Sequence, residues 1–273
     1  MDKPNATQYG LLFDHPDPSH WTLGSSPLPF EILQSDGDWT PYLPTKEFQN
    51  KLGKESYACV IFTLLNCIEI LIKRKYEEER NFADAFLAEL AETRKNNGSS
   101  PQVVCELLRK MGVPQESDFP FDTWLNENAK ITEAIYKIAL EITKEFDIGH
   151  EFVELKHEAI TLALTSSPLM ISVYAWIKND KGYYYRPEGT SDVHATTLVY
   201  QRIGEFKRVF DTYPDSEGGV LKDYDWNSMP MIVKRFTIER KKKVINISLW
   251  QRFWRWWRNE RLIIRYLRRS LNK

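Results

Sequence analysis

The most apolar long stretch in the chain runs from Ser56 to Ile72, where nearly every side of a helical wheel is hydrophobic. Seventeen residues exceed the usual strand, and the stretch stops at Lys73-Arg74-Lys75, so it predicts a buried helix with Ser56 as its N-cap. Helical periodicity recurs over about 81–95, over 101–111 behind Pro101 in the first turn, and over 126–147. Gly98-Ser99-Ser100 links two of these segments. After Pro168 the texture becomes that of strands, over Leu169–Trp176, Ala195–Gln201 and Phe206–Phe210. Ile203-Gly204-Glu205 closes the last two into a hairpin. Helices first and strands later predict an α+β protein with a helical lobe and an antiparallel β lobe.

Residues 1–45 are rich in Pro, Asp and Ser and read as an extended arm or loop. Charge divides the chain more sharply than its net −1 suggests. Residues 234–273 hold 14 Lys or Arg against two acids, a net +12, and the remainder is −13. Within that basic tail Trp250, Phe253, Trp254 and Trp257 share one helical face, which Ile264, Leu267 and Leu271 continue among many arginines. Residues 249–271 therefore read as an amphipathic helix, and three occupants suit its apolar face. These are an anionic membrane surface, the acidic body of the same chain or of a second copy, and an acidic partner, nucleic acid included. The sequence divides accordingly into an arm (1–37), a main domain (38–240) and the tail (241–273).

Three irregularly spaced cysteines exclude a disulfide framework and a zinc site, and nothing in the sequence asks for a metal or cofactor. No secretory signal and no apolar window of about 18 residues is visible. The expected setting is reducing, cytoplasmic or virion-associated, with any membrane contact peripheral.

Cys59 falls in the first turn of the apolar helix, where unpaired amides and the helix dipole favour a thiolate. Cys67 and Cys105 lie in helix interiors and read as inert core residues. A nucleophilic thiol needs a base, and the base needs an orienting partner. His194 heads one strand of the hairpin and Asp211 ends the next, within mutual reach across antiparallel strands. His15, His20, His150 and His157 lack such a neighbour and read as surface or structural residues.

Several landmarks resemble, in order, those of the papain-like cysteine peptidases. They are Asp38-Trp39 with Gln49 ten residues later, Cys59 followed by Phe62, and Gly112-Val113 through Phe119-Pro120-Phe121. Pro168 to Val173, His194-Ala195 and Asp211-Thr212-Tyr213 complete the series. The resemblance implies a two-lobed fold whose central helix opens at Cys59, with His194 and Asp211 on the β lobe. It implies peptide-bond hydrolysis through a Cys59 thioacyl-enzyme, with protein or peptide substrates. Gln49 would then be an oxyanion donor, and Tyr213 would shield the histidine in place of the family's tryptophan. The same triad also suits a peptidoglycan or isopeptide amidase, and an inactive relative would keep the fold as a binding module. Relatives in the family are often held inactive by a preceding segment, and residues 1–37 could lie across the cleft in that way; being shorter than the family's helical pro-domains, they are expected to be a structural arm instead.

Overall fold

The computed structural model describes residues 9–14, 16–51, 53–127, 129–215 and 218–242. The chain divides at Arg240–Lys241 into two units, and the description below is of the first. The basic tryptophan-rich segment over 249–271 lies outside the described residues.

A 3-10 turn at Thr40–Tyr42 and a short hairpin, β1 (Asn50–Lys51) and β2 (Lys54–Glu55), precede the first long helix. That helix, α1 (Cys59–Tyr76), is buried at every position from Cys59 to Ile72. Its largely apolar wheel, with Thr63, Asn66 and Glu69 buried among the hydrophobic residues, packs against α4 (Pro101–Met111), β5 (His194–Arg202) and β8 (Val233–Arg240). The basic last turn, Lys73 to Lys75, suits the negative end of the helix dipole, and Glu77 closes the helix in the left-handed conformation.

The expected helix over 81–95 is two helices, α2 (Asp84–Leu90) and α3 (Thr93–Asn96). Glu92, at φ 49°, breaks the helical path between them. The expected helix over 126–147 is likewise divided. It becomes α5 (Phe121–Glu127), α6 (Glu133–Glu145) with Thr132 as its cap, and strand β3 (Phe146–Phe152). Thr132 Oγ1 accepts from the Ile135 amide at 3.4 Å, which starts α6 afresh. Residues 101–111 form α4 as predicted, with Ser100 capping it through the Val103 amide.

One six-stranded antiparallel sheet follows, in the order β3-β8-β4-β5-β6-β7. Its remaining strands are β4 (Leu169–Val173), β6 (Phe206–Phe210) and β7 (Leu221–Asp225), with α7 (His157–Leu164) between β3 and β4. Central strands β4 and β5 are buried along nearly their whole length; β4 reads as an almost continuous apolar run, whereas β5 also encloses His194, Thr196 and Thr197. The α+β class is the one expected, and pattern reading missed β3, β7 and β8 in this sheet as well as the short β1–β2 hairpin. Trp39 joins the segment before α1 to the sheet: its amide donates to Val199 O at 2.8 Å and its indole to Leu164 O at 2.7 Å.

Replacing a fully buried residue in the middle of α1 tests how much rests on this helix. Ile70→Ala should cost about 2–5 kcal/mol of stability through lost burial and the cavity left behind. Urea denaturation should show an earlier midpoint at unchanged slope; an unchanged midpoint would mean that α1 is not the core's centre.

Candidate active site

The packing of α1 on β5 brings the first residue of the helix against the first residues of the strand. Cys59 opens α1, and its thiol sits against the backbone amide of Ala195, the residue after His194. Ser56 does not cap the helix as expected. Its hydroxyl instead accepts from the Ala58 amide at 3.3 Å, and Ala58 takes the cap position with no side-chain bond, so the first-turn amides near Cys59 keep their field.

His194 starts β5 opposite Val173 of β4, and Asp211 follows directly on β6. The hairpin register places Thr197 opposite Phe210, which sets the two side chains diagonally across adjacent strands. His194 Nε2 and Asp211 Oδ1 are 2.8 Å apart. A carboxylate can only accept here, so Nε2 carries the proton and Nδ1 is the basic nitrogen. Nδ1 is buried and has no hydrogen-bond partner.

Asp211 is itself fully enclosed. Oδ1 also accepts from the Thr212 amide at 2.7 Å and the Tyr213 amide at 3.2 Å. Oδ2 accepts from Lys222 Nζ at 2.7 Å and the Trp176 indole at 3.3 Å. Burial alone would raise this carboxyl, but the charges and hydrogen bonds of His194 and Lys222 outweigh it and hold Asp211 well below the usual carboxylate range.

Gln49 lies at the same site. Its Oε1 accepts from Thr212 Oγ1 at 2.9 Å, which orients the amide. Both Nε2 hydrogens are engaged, one by Tyr213 Oη at 2.8 Å and one by Glu55 Oε1 at 3.1 Å. Glu55 also accepts from the Tyr213 hydroxyl and from the Tyr57 amide at 2.9 Å. Burial, and then Glu55, push the Tyr213 hydroxyl far above its ordinary value, so it stays a neutral donor. Tyr213 packs edge-on to His194 at 5.4 Å, and Trp176 packs beside both at 5.6 and 4.8 Å.

Residues 9–14 complete the enclosure. Tyr9 packs edge-on against Trp176 at 4.7 Å and contacts the rings of His194 and Tyr213 at 6.4 and 6.2 Å. The next residues pair with the loop before α4: Ser99 N donates to Gly10 O at 2.9 Å and Leu12 N to Ser99 O at 3.1 Å. Leu11 between them is buried. Gly10, at φ 99°, passes so close to Tyr57 that a Cβ would lie 2.1 Å from its carbonyl oxygen. Asp14 anchors the segment by accepting from the Gln102 amide in the first turn of α4. The arm expected to be structural thus lies over the histidine.

Burial raises the Cys59 thiol well above its ordinary value, with Glu55 and Asp211 adding to that, and the Ala195 amide only partly opposes them. The lowered thiol expected from the helix terminus is therefore not the state of this enclosed site, because desolvation outweighs the dipole. Cys67 and Cys105 are buried core residues as expected, and burial pushes Cys105 up to about 12. Among the described residues no group of His, Cys, Asp and Glu is arranged to hold a metal. Sequence reading missed Glu55, Trp176, Lys222 and Tyr9. Trp176 closes an apolar run, and the other three carry no local signature.

The fold is papain-like. No family model matches the chain, and no curated protein matches it in sequence. Solved structures do. It is similar to xylellain, a cysteine protease from Xylella fastidiosa, at TM-score 0.63 and 18% identity over 89% of this chain and 99% of that one. It is also similar to bromelain from Ananas comosus, solved with the E64 inhibitor, at 0.56 and 19% over 74% and 98% of the two chains. The cysteine protease and lectin-like domains of Cwp84 from Clostridium difficile match at 0.63 and 12%, over 88% and 58%.

With all three thiols buried, iodoacetamide at pH 7 should modify native protein far more slowly than a free thiol. All three cysteines should react fully in guanidinium. Rapid native modification of Cys59 alone would show an open site instead.

Proposed function

We propose that this protein is a cysteine peptidase in which Cys59 is the nucleophile, His194 the base and Asp211 the orienting group. The observation that carries this reading is the state of His194. Its Nε2 is committed to Asp211 at 2.8 Å, and its basic Nδ1 is buried and unpartnered beside the helix that Cys59 opens. An unpaired buried nitrogen is costly, and a reacting thiol proton would satisfy it.

The chemistry follows from those positions. His194 Nδ1 takes the Cys59 proton as sulfur bonds to the carbonyl carbon of a peptide substrate. The carbonyl π pair moves to oxygen, which the Cys59 amide at the helix terminus stabilises. Collapse of the tetrahedral adduct breaks the C–N bond, and the imidazolium gives its proton to the departing amine. Water, deprotonated by His194, then attacks the thioester. It releases the acid and returns the thiol. Gln49 serves as a second oxyanion donor once its amide exchanges the Tyr213 hydroxyl for the substrate oxygen. Tyr213 and Trp176 keep water from the His194–Asp211 bond.

Residues 9–12 hold the enzyme latent. Tyr9 covers the imidazole, and the Gly10–Leu12 backbone occupies the edge at Ser99 where an extended peptide would pair. A carboxylate at buried Leu11 should eject this segment, because an isolated buried charge cannot be sustained there. Leu11→Asp in the full-length protein should therefore speed capture of Cys59 by an epoxide thiol trap by at least tenfold. In the same background Cys59→Ala or His194→Ala should lower peptide hydrolysis by about 10³-fold or more. Equal hydrolysis with and without Cys59 would refute the peptidase reading. Release of the arm without any gain in Cys59 reactivity would favour an inactive protein of papain-like fold.

A further inference from the structure

The orienting residue of this site is a full carboxylate whose second oxygen is held by a lysine. β7 is an edge strand whose inward row consists of Lys222 and Tyr224, both buried, while Leu221, Asp223 and Asp225 face outward. A lysine in an inward row is chemically unexpected, since such positions take apolar residues unless the charge is paired. Here the Lys222 ammonium lies 2.7 Å from Asp211 Oδ2, with side-chain exposures of 2% and 0% for the pair. Its remaining neighbours are aromatic faces, Trp176 at 4.7 Å and Tyr184 at 5.9 Å. Trp176 in turn donates to the same Asp211 oxygen.

We propose that Lys222 is a positioning residue of the catalytic site: it neutralises Asp211, so that a carboxylate orients His194 as a neutral amide would. The proposal rests on the reading of Cys59 and His194 as the reacting pair. A lone carboxylate at 2.8 Å from the imidazole would favour the imidazolium and oppose the thiolate, and so would keep the proton on sulfur to higher pH. A lone ammonium would do the reverse. Paired, they leave a hydrogen-bond acceptor of fixed direction and little net field. The other titratable groups facing Cys59 or Asp211 are Glu55 from β2, Tyr213 after β6 and Tyr224 on β7, with Tyr9 from the arm over His194. None of them is altered by changing Lys222, so the shift it causes can be read against a constant background.

The experiment is a charge cycle in the full-length protein carrying Leu11→Asp, the change expected to release the arm and expose Cys59, with that protein as the parent: Lys222→Met, Asp211→Asn and the double variant. The readout is the pH profile of Cys59 alkylation by iodoacetamide, site-resolved by peptide mapping. Lys222→Met should move the midpoint up by about one pH unit, and Asp211→Asn should move it down by a similar amount. The double variant should return to within about 0.3 unit of the parent, a tolerance small against shifts of that size. Its denaturation midpoint should also lie above that of either single variant, because neither charge is stranded. Single variants that fold yet move the profile in the same direction, or not at all, would overturn the proposal. Should a single variant fail to fold, the double variant decides: a folded double with the parent's profile supports the proposal, and a displaced profile or an unfolded double sinks it. Opposed shifts without peptide hydrolysis by any form would leave Lys222 as the neutralising group and remove the peptidase reading instead.

Discussion

A carboxylate that never meets water has to be satisfied from within, and Asp211 is the point at which this site meets that requirement. Its two oxygens take five donors: the His194 ring, the Trp176 indole, the Lys222 ammonium and the amides of Thr212 and Tyr213. These come from β5, from the segment after β4, from β7 and from the chain just beyond β6. One buried charge thus ties together four neighbouring parts of the sheet. Removing a single partner from such a buried pair typically costs about 3–5 kcal/mol, because the other charge is left stranded. The direction of the histidine's hydrogen bond, and therefore the freedom of Nδ1, follows from that constraint.

The same enclosure governs the thiol proposed as the nucleophile. Cys59 stands at a helix N-terminus, which favours an anion, yet complete burial raises its thiol. Desolvation wins because Cys59 and His194 are fully buried, with Tyr9, Trp176 and Tyr213 packed around the imidazole. Gln49 is similarly engaged, with both amide hydrogens held by Tyr213 and Glu55. Under the proposed chemistry, access and reactivity would therefore be one variable. Movement of residues 9–12 would readmit solvent, free the imidazole face and open the pairing edge at Ser99 together.

Much of this was legible in the sequence, and what was not has physical reasons. The helix at Cys59 announced itself because a buried helix is apolar all round, and the 206–210 strand because a short turn marked the hairpin. His194 and Asp211 could be paired because hairpin neighbours sit at predictable separations. The helix over 126–147 was overextended, since its periodicity continues into residues that β8 recruits into the sheet as β3. Lys222 and Glu55 left no signature, because a lysine in an edge strand and a glutamate in a two-residue strand are ordinary until tertiary contacts enclose them. Tyr9 was hidden for a similar reason: the segment is irregular and is held by backbone pairing to Ser99, which depends on no side-chain pattern.

If Cys59 is the nucleophile proposed above, a covalent acyl intermediate forms on its sulfur. Rapid acid quench of the protein with an activated peptide ester, followed by intact mass and peptide mapping, would trap it. The adduct should lie on Cys59, be released by neutral hydroxylamine as a thioester is, and fail to form when His194 is replaced by alanine. An adduct on another residue, or turnover of the ester with none at Cys59, would contradict that role for Cys59.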